Sequence, residues 1–280
     1  MKYALLYLFV LIGTSRAFGQ AMIGTEEIPA KNIKPWIATT TKSYEGVYHF
    51  GESEAESEMA LVVSNGIVTA QIKSGDWVQL KGKEKWRFSY QTLTNVKIEG
   101  NKFHSAEMSG EFVRALSESK YENGLKINDY GSASTPQSQA EIGIKSGPIK
   151  DYYQGEYPQA SYQLLQASTL SKYSKAQLVL MRNEVFARYG YIFAAANGML
   201  AHFKKQEWYD PSKTDVSRLL TALEKKEHCP TERNRGQDVA RFCWGKASPF
   251  YCLLHRSFGS GLISSATSGG YRAGGSPVCP

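Results

Sequence analysis

Between Tyr44 and about Tyr130 the chain keeps alternating apolar and polar residues and keeps breaking at turn residues. A period of two puts successive side chains on opposite faces of a strand, so this stretch is restricted to half-buried β structure. Tyr44-Glu45-Gly46-Val47-Tyr48-His49-Phe50 is the first such run. Met59-Ala60-Leu61-Val62-Val63 and Ile67-Val68-Thr69-Ala70-Gln71-Ile72 follow, separated by Ser64-Asn65-Gly66. Asn-Gly between two apolar runs is a strong hairpin signal, because a tight hairpin turn needs positive φ at both central residues. Trp77 to Leu80, Trp86 to Tyr90, Leu93 to Ile98, Lys102 to His104 and Glu111 to Arg114 complete the series. Short strands with frequent turns predict an antiparallel meander, either a curled sheet or a small barrel.

The rest of the chain divides around that block. Met1-Lys2, the apolar run Ala4 to Ile12 and the small residues Ala17 and Gly19 together read as a signal peptide over 1–19, with a mature start near Gln20. The apolar run is too short to span a bilayer. Residues 20–43 read as an N-terminal extension, 44–131 as the β domain, and 132–155, rich in Ser, Gly, Pro and Gln, as a linker. Helical spacing begins after it and places a helical domain at 156–226. The fold class predicted is therefore α+β.

Periodicity stops at Glu227. Asp215 to Lys226 reads as an amphipathic helix, with Val216, Leu219, Leu220 and Leu223 on one face, cut off in mid-turn. All four cysteines (Cys229, Cys243, Cys252, Cys279) lie beyond it, before and within a Gly/Ser-rich run to Pro280. One permitted codon choice for Glu227 to Val239, read one base later, encodes N-I-A-L-L-K-E-I-E-D-K-M and then a stop. That string would continue the helix and end it. The tail 227–280 is therefore expected to be out of frame and disordered, with a disulfide-stapled module as the alternative; no disulfide pairing follows from the sequence. The formal charge is +7. The signal contributes two positive charges, and the tail three net ones from six basic and three acidic residues. A body near +2 with mixed signs gives little support for nucleic acid as a partner.

Ser174-Lys175-Ala176-Gln177 is a capping box, and Leu178, Met181, Val185 and Phe186 recur at helical spacing to Tyr189, with Gly190 as the left-handed C-cap. The run Leu178 to Phe193, followed by Phe203, Trp208-Tyr209 and Pro211, closely resembles the signature of the YARHG domain. The resemblance spans about Tyr173 to Lys226. Two positions of the name motif differ: its leading Tyr is Phe186 and its usual His is Tyr189. The resemblance implies an exported bacterial protein, periplasmic or extracellular, with cell-wall polymer or an envelope protein as its partner. The Tyr at 189 removes the only side chain of that motif that titrates near neutrality.

Six residues of the helical domain are candidates for ligand contact. Arg182 and Arg188 could present a guanidinium fork to a carboxylate or phosphate. Glu184 stands four residues before Arg188, the spacing of a helix ion pair. Tyr189, Trp208 and Tyr209 could stack on sugar or peptide. Each also has a structural reading, as an ion pair between helices or as core of a small domain. His49, His104 and His202 are scattered, and no spacing supplies a metal site or cofactor site. The acidic run Glu52, Glu54, Glu56 and Glu58 reads as a solvated loop. No phosphate loop or hydrolase elbow is present, and Glu184 lacks a partner acid or nucleophile at a useful spacing, so no catalytic residue is assigned. The functional expectation is a non-catalytic binding module. The alternatives are a hydrolase of cell-wall or extracellular polymer and a structural accessory subunit.

Overall fold

The computed structural model describes residues 21–128 and 140–227. The signal segment, the mature start near Gln20 and the cysteine-bearing tail after Glu227 lie outside the described residues.

Most of the alternating segments form strands, and the strands join one sheet. Three short strands come first: β1 (Ala21–Ile23), β2 (Glu26–Ile28) and β3 (Ile33–Pro35). Then come β4 (Gly46–Phe50), β5 (Ser57–Ser64), β6 (Ile67–Leu80) and β7 (Lys83–Thr92). They are followed by β8 (Lys97–Glu99), β9 (Lys102–His104), β10 (Ser109–Ser117), β11 (Lys120–Asn128) and β12 (Ala140–Gly147). Among the described residues the sheet has 12 strands in the order β7-β6-β5-β4-β12-β11-β10-β9-β8. β1 runs parallel to β12, β2 pairs with β1, and β3 lies antiparallel to β10. The β5–β6 hairpin turns through Asn65 (φ 48°) and Gly66 (φ 76°), the double positive-φ turn that Asn-Gly predicts.

One face of the sheet closes on itself. Neighbouring strands are about 4.8 Å apart, so β4 and β10, three steps apart, would be roughly 14 Å apart in a flat sheet. Yet Tyr48 of β4 and Phe112 of β10 have ring centroids 6.0 Å apart, and Tyr44 stacks on Phe112 at 4.0 Å. Met59, Leu61, Ile72, Leu125 and Ile127 share that cluster. The sheet is therefore curled into a half-barrel around an aromatic core. Gly143 of β12 lets it close, because a Cβ there would stand 2.4 Å from the Phe50 ring.

The outer face is covered by other parts of the chain. Ala21 of β1 packs with Val113, Ala140 and Ile142 at one end. At the other end Val47, Ala60 and Val62 pack against Ile149, Tyr152, Tyr153 and Leu223. The short helices follow: α1 (Gln159–Tyr162), α2 (Ala167–Leu170), α3 (Lys175–Arg188), α4 (Met199–Phe203) and α5 (Ala222–Glu227). α3 is the longest, and both halves of its predicted capping box form: Gln177 N–H donates to Ser174 Oγ, and Gln177 Oε1 accepts from Ser174 N–H.

Several expectations need correction. The segment 132–155 is not a plain linker, since it contains β12, which sits between β11 and β4 and is bonded to both. Its composition misleads because Gly143 serves the Phe50 ring rather than flexibility. The extension 20–43 supplies β1 to β3. Leu93 to Ile98 is strand only from Lys97, after a turn at Asn95 (φ 54°). The helix read over Asp215 to Lys226 begins at Ala222. A second capping box sets that start: Thr221 N–H donates to Glu224 at 2.8 Å and Glu224 N–H donates to Thr221 Oγ1 at 3.2 Å. Val216, Leu220 and Leu223 are buried all the same, so the apolar spacing marked burial there rather than helix.

Candidate functional site

α3 carries Glu184 and Arg188 one turn apart on the face turned toward residues 154–161. The Glu184 carboxylate accepts backbone N–H groups from Glu156 and Tyr157, both at 2.8 Å, and a further bond from Arg188. Gly155 makes that approach possible. Its φ is +114°, and a Cβ would lie 2.3 Å from the Glu184 carboxyl carbon. Arg188 also donates to the Gln154 carbonyl and to Ser161 Oγ at 2.7 Å. The two side chains are 2% and 4% exposed. The i,i+4 spacing reads like an ordinary surface pair; instead the pair is buried and knits α3 to the chain before α1.

Tyr189 extends the network to the sheet. Gln71 of β6 points to the outer face and donates to Tyr189 Oη at 3.1 Å and to the Leu219 carbonyl at 2.9 Å. Tyr189 O–H donates to the Glu224 carboxyl at 2.9 Å. Burial pushes the Glu224 carboxyl above its usual range, against the hydrogen bonds it accepts. Burial also raises the phenols of Tyr152, Tyr153 and Tyr189, and Tyr90 is pushed up to about 12. A tyrosine at 189 can therefore join sheet to helices without taking up a proton near neutrality.

α3 ends in a full Schellman turn: Tyr191 N–H reaches the Phe186 carbonyl at 3.2 Å and Gly190 N–H the Ala187 carbonyl at 2.9 Å. Gly190 has φ +78°, as its position after the periodic run requires. The turn delivers the chain to an aromatic cluster of Phe193, Phe203 and Tyr209, with Trp208 partly buried beside it.

The six candidate residues are thus dispersed. Glu184 and Trp208 line one cleft of about 270 Å³, together with Glu156, His202 and Gln206. Arg188 and Tyr189 line a small cavity against the sheet, beside Lys73, Phe88 and Tyr90. Tyr209 is buried and donates its hydroxyl to the Tyr191 carbonyl at 2.7 Å. Arg182 is half-buried on α3 and lines neither space. Among the described residues no group of three or more His, Cys, Asp and Glu side chains could hold a metal ion. No helix among them is long and apolar enough to cross a membrane.

An exposed aromatic surface lies elsewhere, on the β6–β7 hairpin. β5 pairs with β6 only as far as Ser74, so Gly75 to Leu80 projects beyond the sheet, bonded to β7 alone. Trp77 stands opposite Trp86, and Phe88 opposite Gly75. A Cβ on Gly75 would lie 2.1 Å from the Trp86 ring, so this indole rests across the bare backbone of β6. Trp77 meets it edge-on at 5.3 Å and is 55% exposed; Phe88 is 45% exposed. The sequence pattern shows both tryptophans as strand residues. The signal that could have found the surface is the glycine inside the strand, which marks a close approach.

No curated protein and no solved structure gives a significant match to this chain. The family model of the YARHG domain matches residues 153–227, beginning at the tyrosine that packs on the sheet and including the Glu184–Arg188 pair, the Schellman turn and the closing capping box. The chain therefore carries a YARHG domain, folded against the outer face of a β half-barrel.

Proposed function

We propose that this protein is an exported, non-catalytic binding module, in which the half-barrel and the YARHG domain form one support and the β6–β7 hairpin carries the contact surface. The observation that carries this reading is the aromatic rack on the hairpin. Large exposed aromatics that serve no core are a mark of recognition surfaces. The polar groups of the YARHG domain support the same reading, because Glu184, Arg188 and Glu224 spend their bonds on holding the fold together. Export follows the family resemblance and the signal-like segment 1–19; N-terminal sequencing of exported material should begin near Gln20.

Incubating the full chain with insoluble wall polymer and with envelope extracts tests the binding role. Retention that falls on Trp77→Ala is the expected outcome. Equal retention of wild type and Trp77→Ala would remove the hairpin from the account. A hydrolase acting on polymer is the second reading, favoured by the presence of Glu156 and His202 in the cleft beside Glu184. Release of soluble fragments from wall polymer, abolished by Glu156→Gln at unchanged melting temperature, would establish it instead.

A further inference from the structure

We infer that the β6–β7 hairpin holds an anionic polysaccharide, with sugar rings on Trp77, Trp86 and Phe88 and acid groups on the cations along β7. The inference rests on the binding-module reading and names the ligand class for the same surface.

The aromatic side is preorganised. Trp86 lies flat across Gly75, Phe88 stands beside it, and the Trp77 indole N–H donates to Glu54 at 3.1 Å, which fixes its ring. Aromatic faces are electron-rich and attract the C–H faces of pyranose rings, which carry partial positive charge. The Lys73 ammonium stands 5.3 Å from the Phe88 ring centroid, which leaves the other face of that ring for a sugar.

The charge side follows from strand alternation. β7 is the terminal strand of the sheet, so a polymer lying along it reaches both of its faces. Trp86 and Phe88 occupy one face; Lys83, Lys85 and Arg87 occupy the other. Asp210 binds Lys85 and Arg87, each at 2.7 Å. Lys213 lies close by; burial first, and then the Arg87 charge, hold its ammonium below the usual lysine range. Lys83, Lys85, Arg87 and Lys213 thus share this side with Asp76 and Asp210, four cations against two carboxylates. Two acid groups would complete the neutralisation. An excess of two charges suits a polymer with one acid per sugar or fewer. Duplex DNA carries a charge about every 1.7 Å and calls for a denser basic stripe.

Polygalacturonate, uncharged dextran and oligothymidylate, each immobilised, provide the test with the full chain. Retention on polygalacturonate should exceed that on dextran and fall with added salt. Trp77→Ala and Phe88→Ala should each weaken it about tenfold, the scale of one lost aromatic contact. Lys83→Glu, at an exposed tip position, should weaken polygalacturonate retention at an unchanged melting temperature. Equal, salt-independent retention on dextran overturns the acidic assignment and leaves the binding reading intact. So does retention on wall polymer with none on polygalacturonate. Stronger retention on oligothymidylate assigns the surface to nucleic acid and overturns the inference. Polygalacturonate binding indifferent to Trp77→Ala and Phe88→Ala overturns the aromatic platform. Failure on every polymer, wall material included, removes both the inference and the reading beneath it.

Discussion

Two carboxylates fasten the YARHG domain, and they work in opposite surroundings. Glu184 is almost fully buried, holds two backbone N–H groups and Arg188, and closes the domain on itself. Asp210 is 28% exposed and ties the same domain to Lys85 and Arg87 on the rim of the sheet. Both pairs have good geometry, but water decides what each contributes. A buried charge that loses its partner is left in low dielectric, whereas an exposed one is solvated again at once. The interior pair is thus indispensable to the domain, and the rim pair leaves its cations available to a ligand.

Removing Arg188 should have the largest effect. Arg188→Ala leaves the buried Glu184 carboxyl without its guanidinium and the Gln154 carbonyl without its donor. The expected loss is about 3–5 kcal/mol, read from chemical denaturation. A loss below about 1 kcal/mol would place this pair in the same class as a surface pair.

Backbone strain comes next. Gly190→Val forces a β-branched residue to φ +78°, with its Cβ 2.6 Å from the Asp210 carbonyl. This should cost on the order of 1–2 kcal/mol or more. Because the clash falls on Asp210, Gly190→Val should also loosen the rim pair; an unchanged melting curve would refute this placement of Gly190.

Glu224 and Asp210 should respond to pH in opposite senses. The carboxyl of Glu224 is raised above its ordinary value of 4.5, so the folded state binds its proton more tightly than the unfolded state does. Its contribution to stability is therefore present below that value and is lost as pH rises through the raised pKa. Glu224→Gln should flatten the fall in melting temperature above pH 4.5; identical profiles for the two proteins would show that Glu224 does not titrate in that window. Asp210 behaves in the opposite sense. Its carboxyl is held below 3.8 by the bonds from Arg87 and Lys85, against the opposing effect of burial, so its contribution is lost only as pH falls below that value. Asp210→Asn at neutral pH should cost no more than about 1 kcal/mol. Its effect should appear instead as stronger retention of acidic polymer, since one competing carboxylate is gone.

The legibility of the fold varied for local reasons. β5 and β6 could be read because Asn65-Gly66 announces its own turn. β11 could not, because its hairpin turns through Glu118 (φ 47°) and Ser119 (φ 75°), residues that carry no such signal. β12 was hidden by a glycine that answers to Phe50, a residue 93 positions away in the chain. The helix placed at Asp215 failed because the Thr221–Glu224 box starts it later, while the apolar spacing before the box reports burial alone. Among the candidate residues, the Glu184–Arg188 spacing was visible and its burial was not.

Which side chains share a strand face, where α3 begins and ends, and the YARHG resemblance from about Tyr173 to Lys226 are legible along the chain. These are short-range properties: strand pleat, capping chemistry and the sign of φ act within a few residues. The insertion of β12 between β4 and β11, the burial of Glu184 and Arg188, and the seating of Trp86 across Gly75 arise only in the folded chain. Each of these depends on which distant segment closes against which, and periodicity along the chain does not encode that choice.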